Sequence, residues 1–291
     1  MNNEIRDILN VHNINPNRIT ISGNCRIIND ELVLKPSIND DIMKTYDYLI
    51  SRSFDYFPYP ISIDNKYEIY PYVEDIDEPI EQKGQDLMYL ISLLHSKTTF
   101  YKEIDVNEIK KIYENVLEEA NYLDNYYTDL VDNIEKEIYM SPSEYLLVRN
   151  INIIFNSIYY VKDNIKKWYA LVENNKNIRN ALIHGNINLD HYRKNSKPYL
   201  ISFNKSRIDN PIYDLLIFYK NHYSNIDFYD LFKYYESKYP LKKEERLLLF
   251  IYMVIPYKIE YNDNEYMMCV KINRLIDYLY KTSNLIMNYQ K

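Results

Sequence analysis

The alternation of apolar and polar residues is strand-like near the start of the chain and helical over most of the remainder. Arg18 to Ile28, "RITISGNCRII", alternates, a polar "ND" follows, and Glu31 to Pro36, "ELVLKP", alternates again, which predicts a hairpin ending in Lys35. In "NDDIMKTYDYLISRSF", a capping Asn39 or Asp40 precedes Ile42, Tyr46, Leu49 and Ile50, spaced as one face of a helix. "PISID" and "YEIYPYV", joined by "NK", read as a second hairpin that runs into the acidic "EDIDEP".

Beyond Pro79 the helical period takes over. Leu87, Leu90, Ile91 and Leu94 mark one apolar face; Ile109, Ile112, Tyr113, Val116 and Leu117 open a long helix; "PSEYLLVRNINIIFNSIYYV" gives another. Ile272, Leu275, Ile276 and Leu279 repeat at the same interval in the last hundred residues. Only Lys197 to Asn204, "KPYLISFN", carries a strand signature in this part, and no repeat or disordered linker is expected. The order predicts an α+β protein of two lobes, a β-rich one over 1–75 with a single helix and a helical one over 76–291.

Composition narrows the function classes. A chain of 291 residues exceeds the usual single core, and a formal charge of −7 without a dense basic block argues against nucleic acid. Cys25 and Cys269 lie too far apart for metal-ligand spacing, which fits a reducing, cytoplasmic setting. The N-terminus lacks the basic-then-apolar order of a secretory signal, and the longest apolar run, Leu247 to Pro256, falls short of the roughly 20 residues a membrane span needs. The 34 tyrosines and 3 glycines match the AT-rich codon usage of a low-GC genome; the functional alternative is a Tyr-rich surface suited to assembly.

At Leu182 to Asn186, "LIHGN", the sequence resembles the aminoglycoside phosphotransferase and choline-kinase-like superfamily, nearest its bacterial spore-coat (CotS-like) branch. His184 and Gly185 match the family's His-Gly-Asp loop, Ile201 and Phe203 its Ile-Asp-Phe strand end, and Pro211, Tyr213, Asp214 and Leu215 its Pro-x-x-Asp-Leu helix opening. Upstream, Lys35 looks like the strand lysine that reaches nucleotide phosphates, "YPYVED" falls at the family's hinge, and "LISLLHSKT" resembles its Leu-x-x-Leu-His helix. The resemblance spans nearly the whole chain and implies a kinase-like fold.

The departures bear on function. The family's catalytic Asp falls at Asn186, its metal-binding Asn at His191 and its strand-end metal Asp at Ser202. An amide cannot accept the proton and serine offers a divalent cation no charge. Loss of a general base alone costs about 10² to 10⁴ in rate, roughly 3 to 5.5 kcal/mol. Asp190 and Asp209 are the nearest carboxylates that a shifted register would recruit, and His191 with Asp190 is the one pair resembling metal ligands. The helix after Lys35 supplies Asp40, Asp41 and Asp47 but no glutamate partner, and the phosphate loop holds a single Gly23.

The resulting expectation is a catalytically inactive kinase-like protein that acts by binding protein partners, as a spore-coat component or scaffold. It has no catalytic residues and no metal, and weak ATP without Mg²⁺ at Lys35 is the most cofactor binding expected. His184, Gly185 and Asp214 then support the old loop structurally, while His95 and Trp168 are core residues. Two alternatives are an active small-molecule phosphotransferase with displaced acids, and a nucleotide or metabolite sensor.

Overall fold

In the computed structural model of the chain, residues 14–37, 41–64, 66–261 and 264–290 are described. They form two compact units, one of Met1–Thr98 with His184–Arg207 and one of Thr99–Ile183 with Ile208–Lys291. This division by compactness is drawn differently from the 1–75 and 76–291 lobes expected from element order.

The first unit holds an antiparallel sheet of order β1-β2-β3-β5-β4, with β1 Ile19–Ser22, β2 Cys25–Ile28, β3 Leu32–Pro36, β4 Ser62–Ile63 and β5 Tyr67–Pro71. The expected first strand is thus two. Gly23 takes φ +57°, and the chain reverses over Gly23 and Asn24 so that Ser22 pairs with Cys25. Alternation reads straight through so short a turn, because the apolar period is not interrupted by two residues. The "ND" turn forms as expected, with Asn29 and Asp30 both left-handed, a conformation these two residue types tolerate. The Asn29 amide also holds the incoming chain, accepting from the Asn17 and Arg18 amides and donating to the Asn15 carbonyl.

One face of this sheet packs Ile28, Leu34 and Ile69 with Ile14, Leu32 and Tyr67. Pairing of Val33 with Tyr70 and Lys35 with Glu68 puts those four side chains on the other face. Helix α1 (Ile42–Ser51) buries Ile42, Tyr46 and Leu49, whereas Ile50 is exposed. Asn39 and Asp40 lie outside the described residues. Helix α2 (Ile80–Thr98) buries Leu87, Leu90, Ile91, Leu94 and His95, as expected. The same unit contains the short hairpin β8 (Tyr192–Lys194) with β9 (Pro198–Leu200).

In the second unit, α4 (Pro142–Val172) packs against α3 (Val106–Ile134), α7 (Lys243–Val254) and α8 (Glu265–Gln290); α5 (Ile212–His222) packs on α7, and α6 (Phe228–Lys238) on α8. Ser141 caps α4 in a reciprocal box with Glu144, and Pro142 occupies the first turn, where its missing N–H costs nothing. Trp168 is core, as expected. Buried tyrosines direct their hydroxyls to acceptors: Tyr127 to the Tyr257 carbonyl, Tyr278 to the Met253 carbonyl, and Tyr219 pairs with Thr282. Strands β6 (Phe100–Glu103), β7 (Asn177–Ile183) and β10 (Arg207–Asp209) form a sheet of order β10-β7-β6. "KPYLISFN" is therefore not the sole strand segment after Pro79, and of it only Pro198–Leu200 is strand.

Candidate functional site

The cleft-facing side of the five-stranded sheet meets the loop around the β8–β9 hairpin within the first unit. They enclose a cleft of about 470 Å³. Ile27, Val33, Lys35 and Tyr70 line it from the sheet, and Asp190, His191 and Ser202 from the loop. Three of the expected site residues, Lys35, His191 and Ser202, therefore converge, and Cys25 joins them. Burial pushes the Cys25 thiol up, against the opposing influence of Lys35.

Lys35 has a carboxylate partner that was not expected. Its Nζ stands 2.9 Å from Glu68 Oε2, on the neighbouring strand instead of the following helix. The pair is enclosed, with side chains 12% and 1% exposed. Nζ also donates to Asn204 Oδ1 at 3.3 Å and lies 4.6 Å from the centre of the Tyr70 ring. Glu68 in turn accepts from the Tyr70 hydroxyl at 2.7 Å and from Ser37 Oγ at 3.3 Å. Behind them, Tyr46 packs against Phe57, Tyr70 and Phe203 with ring centres 4.9, 6.1 and 6.0 Å away.

The loop's residues divide between cleft and frame. Asn186 is half-buried, and its carbonyl lies 2.6 Å from His191 Nδ1. A carbonyl only accepts, so Nδ1 carries the proton. Burial holds the His191 pKa below its ordinary value, with the Asn186 bond and Asp190 opposing, so the ring is neutral at pH 7 with Nε2 as a hydrogen-bond acceptor. Ser202 sits in the left-handed region at φ 70° and ψ 50°. His184 is fully buried, 2.8 Å from the Ile201 carbonyl through Nε2, with its ring edge-on to Phe203. At Gly185, φ is +73° and an added Cβ would meet the Lys205 carbonyl oxygen at 2.2 Å. Asp214 is fully buried in α5 of the second unit.

The acidic connector binds the hairpin that carries this loop. Asp75 accepts from Lys83 at 2.6 Å, Arg193 at 3.0 Å and the Lys194 amide at 3.0 Å, while Lys194 Nζ reaches Glu78 at 2.9 Å and Asp86 at 2.6 Å. The backbone joins in, since the Ile76 amide donates to the Lys194 carbonyl at 3.0 Å. Arg193, which lines the cleft, is thereby paired as well. Of the two carboxylates expected as displaced replacements, Asp190 lines the cleft and Asp209 lies in the second unit.

His191 and Ser202 offer a Mg²⁺ ion no carboxylate oxygen, and Asp190 is the one carboxylate among the described residues that line the cleft. Magnesium favours carboxylate oxygens in octahedral array. His191 has its Nδ1 committed and Ser202 brings an uncharged hydroxyl, and among the described residues no three His, Cys, Asp or Glu side chains are grouped to hold a metal.

Comparison with known proteins places the fold. No protein-family model and no curated protein matches the sequence. Among solved structures, an aminoglycoside phosphotransferase from Alicyclobacillus acidocaldarius is similar at TM-score 0.63 and 11% identity, over 94% of this chain and 90% of that one. The AMP-bound spectinomycin phosphotransferase APH(9)-Ia is similar at 0.54 and 12%, over 99% and 93%. A glucosamine kinase is similar at 0.53 and 8%, over 94% and 76%. The chain has the two-lobed, kinase-like α+β fold of the aminoglycoside phosphotransferases.

Proposed function

We propose that the chain is a pseudokinase, a kinase-fold protein that acts by binding and does not transfer phosphoryl groups. One observation supports the reading: His191 and Ser202, at positions where the resemblance implies metal ligands as it implies the base at Asn186, face the cleft as neutral groups. Phosphoryl transfer depends on positioning and on neutralising charge with metal, and these side chains supply neither. Its cellular role is then that of a scaffold or a component of an assembly such as a spore coat, with protein partners. The test is release of ADP or GDP from Mg²⁺-ATP or Mg²⁺-GTP, alone and with sugar, choline and aminoglycoside acceptors. No turnover above buffer is expected, and turnover removed by Lys35→Ala would overturn the proposal.

Asp190 favours a second reading, an active transferase with a displaced acid, because its carboxylate lines the same cleft as Lys35. That reading requires turnover, and requires Asp190→Asn to abolish it. The cleft volume supports the sensor form of binding, since small-molecule sites span about 300–1,000 Å³.

A further inference from the structure

The three most exposed large apolar side chains among the described residues are Ile138, Tyr139 and Tyr266, at 90%, 88% and 75%. They come from two distant parts of the sequence, yet share one end of the second unit. Ile138, Tyr139 and Met140 immediately precede the Ser141 cap of α4. The carboxylate of Glu265, first residue of α8, accepts from both the amide and the hydroxyl of Ser143, which fixes the start of α8 beside the start of α4. The Tyr266 and Met267 side chains, the latter 41% exposed, follow directly. Partial burial, with Glu144 and Glu265 adding to it and a hydrogen bond with Ser143 opposing, pushes the Tyr261 pKa up to about 12.

Around these apolar groups carboxylates outnumber cations. Glu135 and Glu137 flank the tip on its N-terminal side and Glu144 and Glu265 lie at the helix starts, against Lys136. Scattered single apolar residues are ordinary on a protein surface, whereas a grouped set rimmed by charge marks an interaction site. An acidic rim repels a second copy of itself and repels anionic lipid or nucleic acid. It complements Lys and Arg.

We propose that this end of the second unit docks a basic, amphipathic protein segment, with Ile138, Tyr139 and Tyr266 entering its apolar face and Glu135 and Glu137 meeting its cations. The tip supplies two side chains that rigid burial would desolvate fully, and the glutamates set orientation and encounter rate. The site is independent of the cleft.

A fluorescent amphipathic Leu/Lys helix peptide, followed by anisotropy at physiological salt, tests it. Binding should weaken at least about tenfold in I138S/Y139S/Y266S, the scale of a lost interface centre. The melting temperature should be unchanged, because these side chains are already in water. E135Q/E137Q should weaken binding several-fold and flatten its salt dependence, and a Leu/Glu peptide should not bind. Equal binding by the apolar variant, or capture of phosphatidylserine vesicles in place of the peptide, would overturn the assignment. So would concentration-dependent dimerisation of the wild type that the apolar variant abolishes.

Discussion

Lys35 and Glu68 face one another across β3 and β5, Nζ 2.9 Å from Oε2, in a pocket that leaves the glutamate 1% exposed. The ammonium is neutralised by its own sheet. A phosphate entering the cleft must therefore compete with a carboxylate that Tyr70 and Ser37 hold in place.

Breaking this pair from either side should be costly, since it strands a buried charge at about 3 kcal/mol or more. Lys35→Met with Glu68→Gln should lose less than the sum of the single variants in urea denaturation. Additive losses would mean that the two charges do not depend on each other. Glu68→Gln alone should also raise affinity for ATP without metal, because it frees the lysine.

The two described left-handed glycines separate strain from collision. Gly23→Ala meets nothing within 4 Å and should cost about 1–2 kcal/mol for its φ alone. Gly185→Ala adds a 2.2 Å clash with the Lys205 carbonyl and should cost roughly 3 kcal/mol more or fail to fold. Equal stability of the two variants by chemical denaturation would contradict the loop geometry.

The connector network predicts a pH dependence. Burial, the largest single influence, raises the Asp75 and Asp86 carboxyls, but Lys83, the Lys194 amide and Arg193 at Asp75, and Lys194, Gln82 and Tyr192 at Asp86, together outweigh it and hold both below the ordinary carboxylate range. A lowered folded pKa means that the unfolded chain binds protons first as pH falls. The stability these groups contribute is thus whole above about pH 5 and lost as pH drops through and below about 4. Asp75→Asn with Asp86→Asn should lower stability at pH 7 and flatten its decline under acid, measured by urea midpoints across pH. An unchanged slope would show that other carboxylates govern the acid limb.

Legibility differed by element for physical reasons. Leu87, Leu90, Ile91 and Leu94 were plain because a buried helix face repeats over many turns. The β6 and β7 strands were not, since "FYKE" spans four residues and "NIRNALI" ends in a continuous buried run without alternation. Lys35, His191 and Ser202 were singled out by resemblance, and all three line one cleft. Glu68 was missed because its role depends on strand register. Pairing β3 with β5 in sequence would have set opposite charges at Lys35 and Glu68, and that was the available signal. The junction of Ser143 with Glu265 joins residues 122 apart and leaves no local trace.

Installing the residues that the resemblance implies at 186, 191 and 202 probes the correspondence of these positions. Asn186→Asp, His191→Asn and Ser202→Asp together should create Mg²⁺-dependent ATP binding in the cleft, because a carboxylate at 202 and an amide oxygen at 191 supply what a ring and a hydroxyl do not. A folded triple variant whose calorimetric Mg²⁺ affinity equals that of the wild type would place the metal positions elsewhere.

The most direct test is the melting temperature of the wild-type chain in saturating ATP, with and without Mg²⁺. A ligand that binds the folded state stabilises it by RT ln(1 + [L]/Kd), so at about 100 Kd the gain is roughly 2.7 kcal/mol, a shift of several degrees. The pseudokinase account predicts no shift that depends on Mg²⁺. A rise of several degrees that appears only with the metal, and disappears in Lys35→Ala, would contradict it.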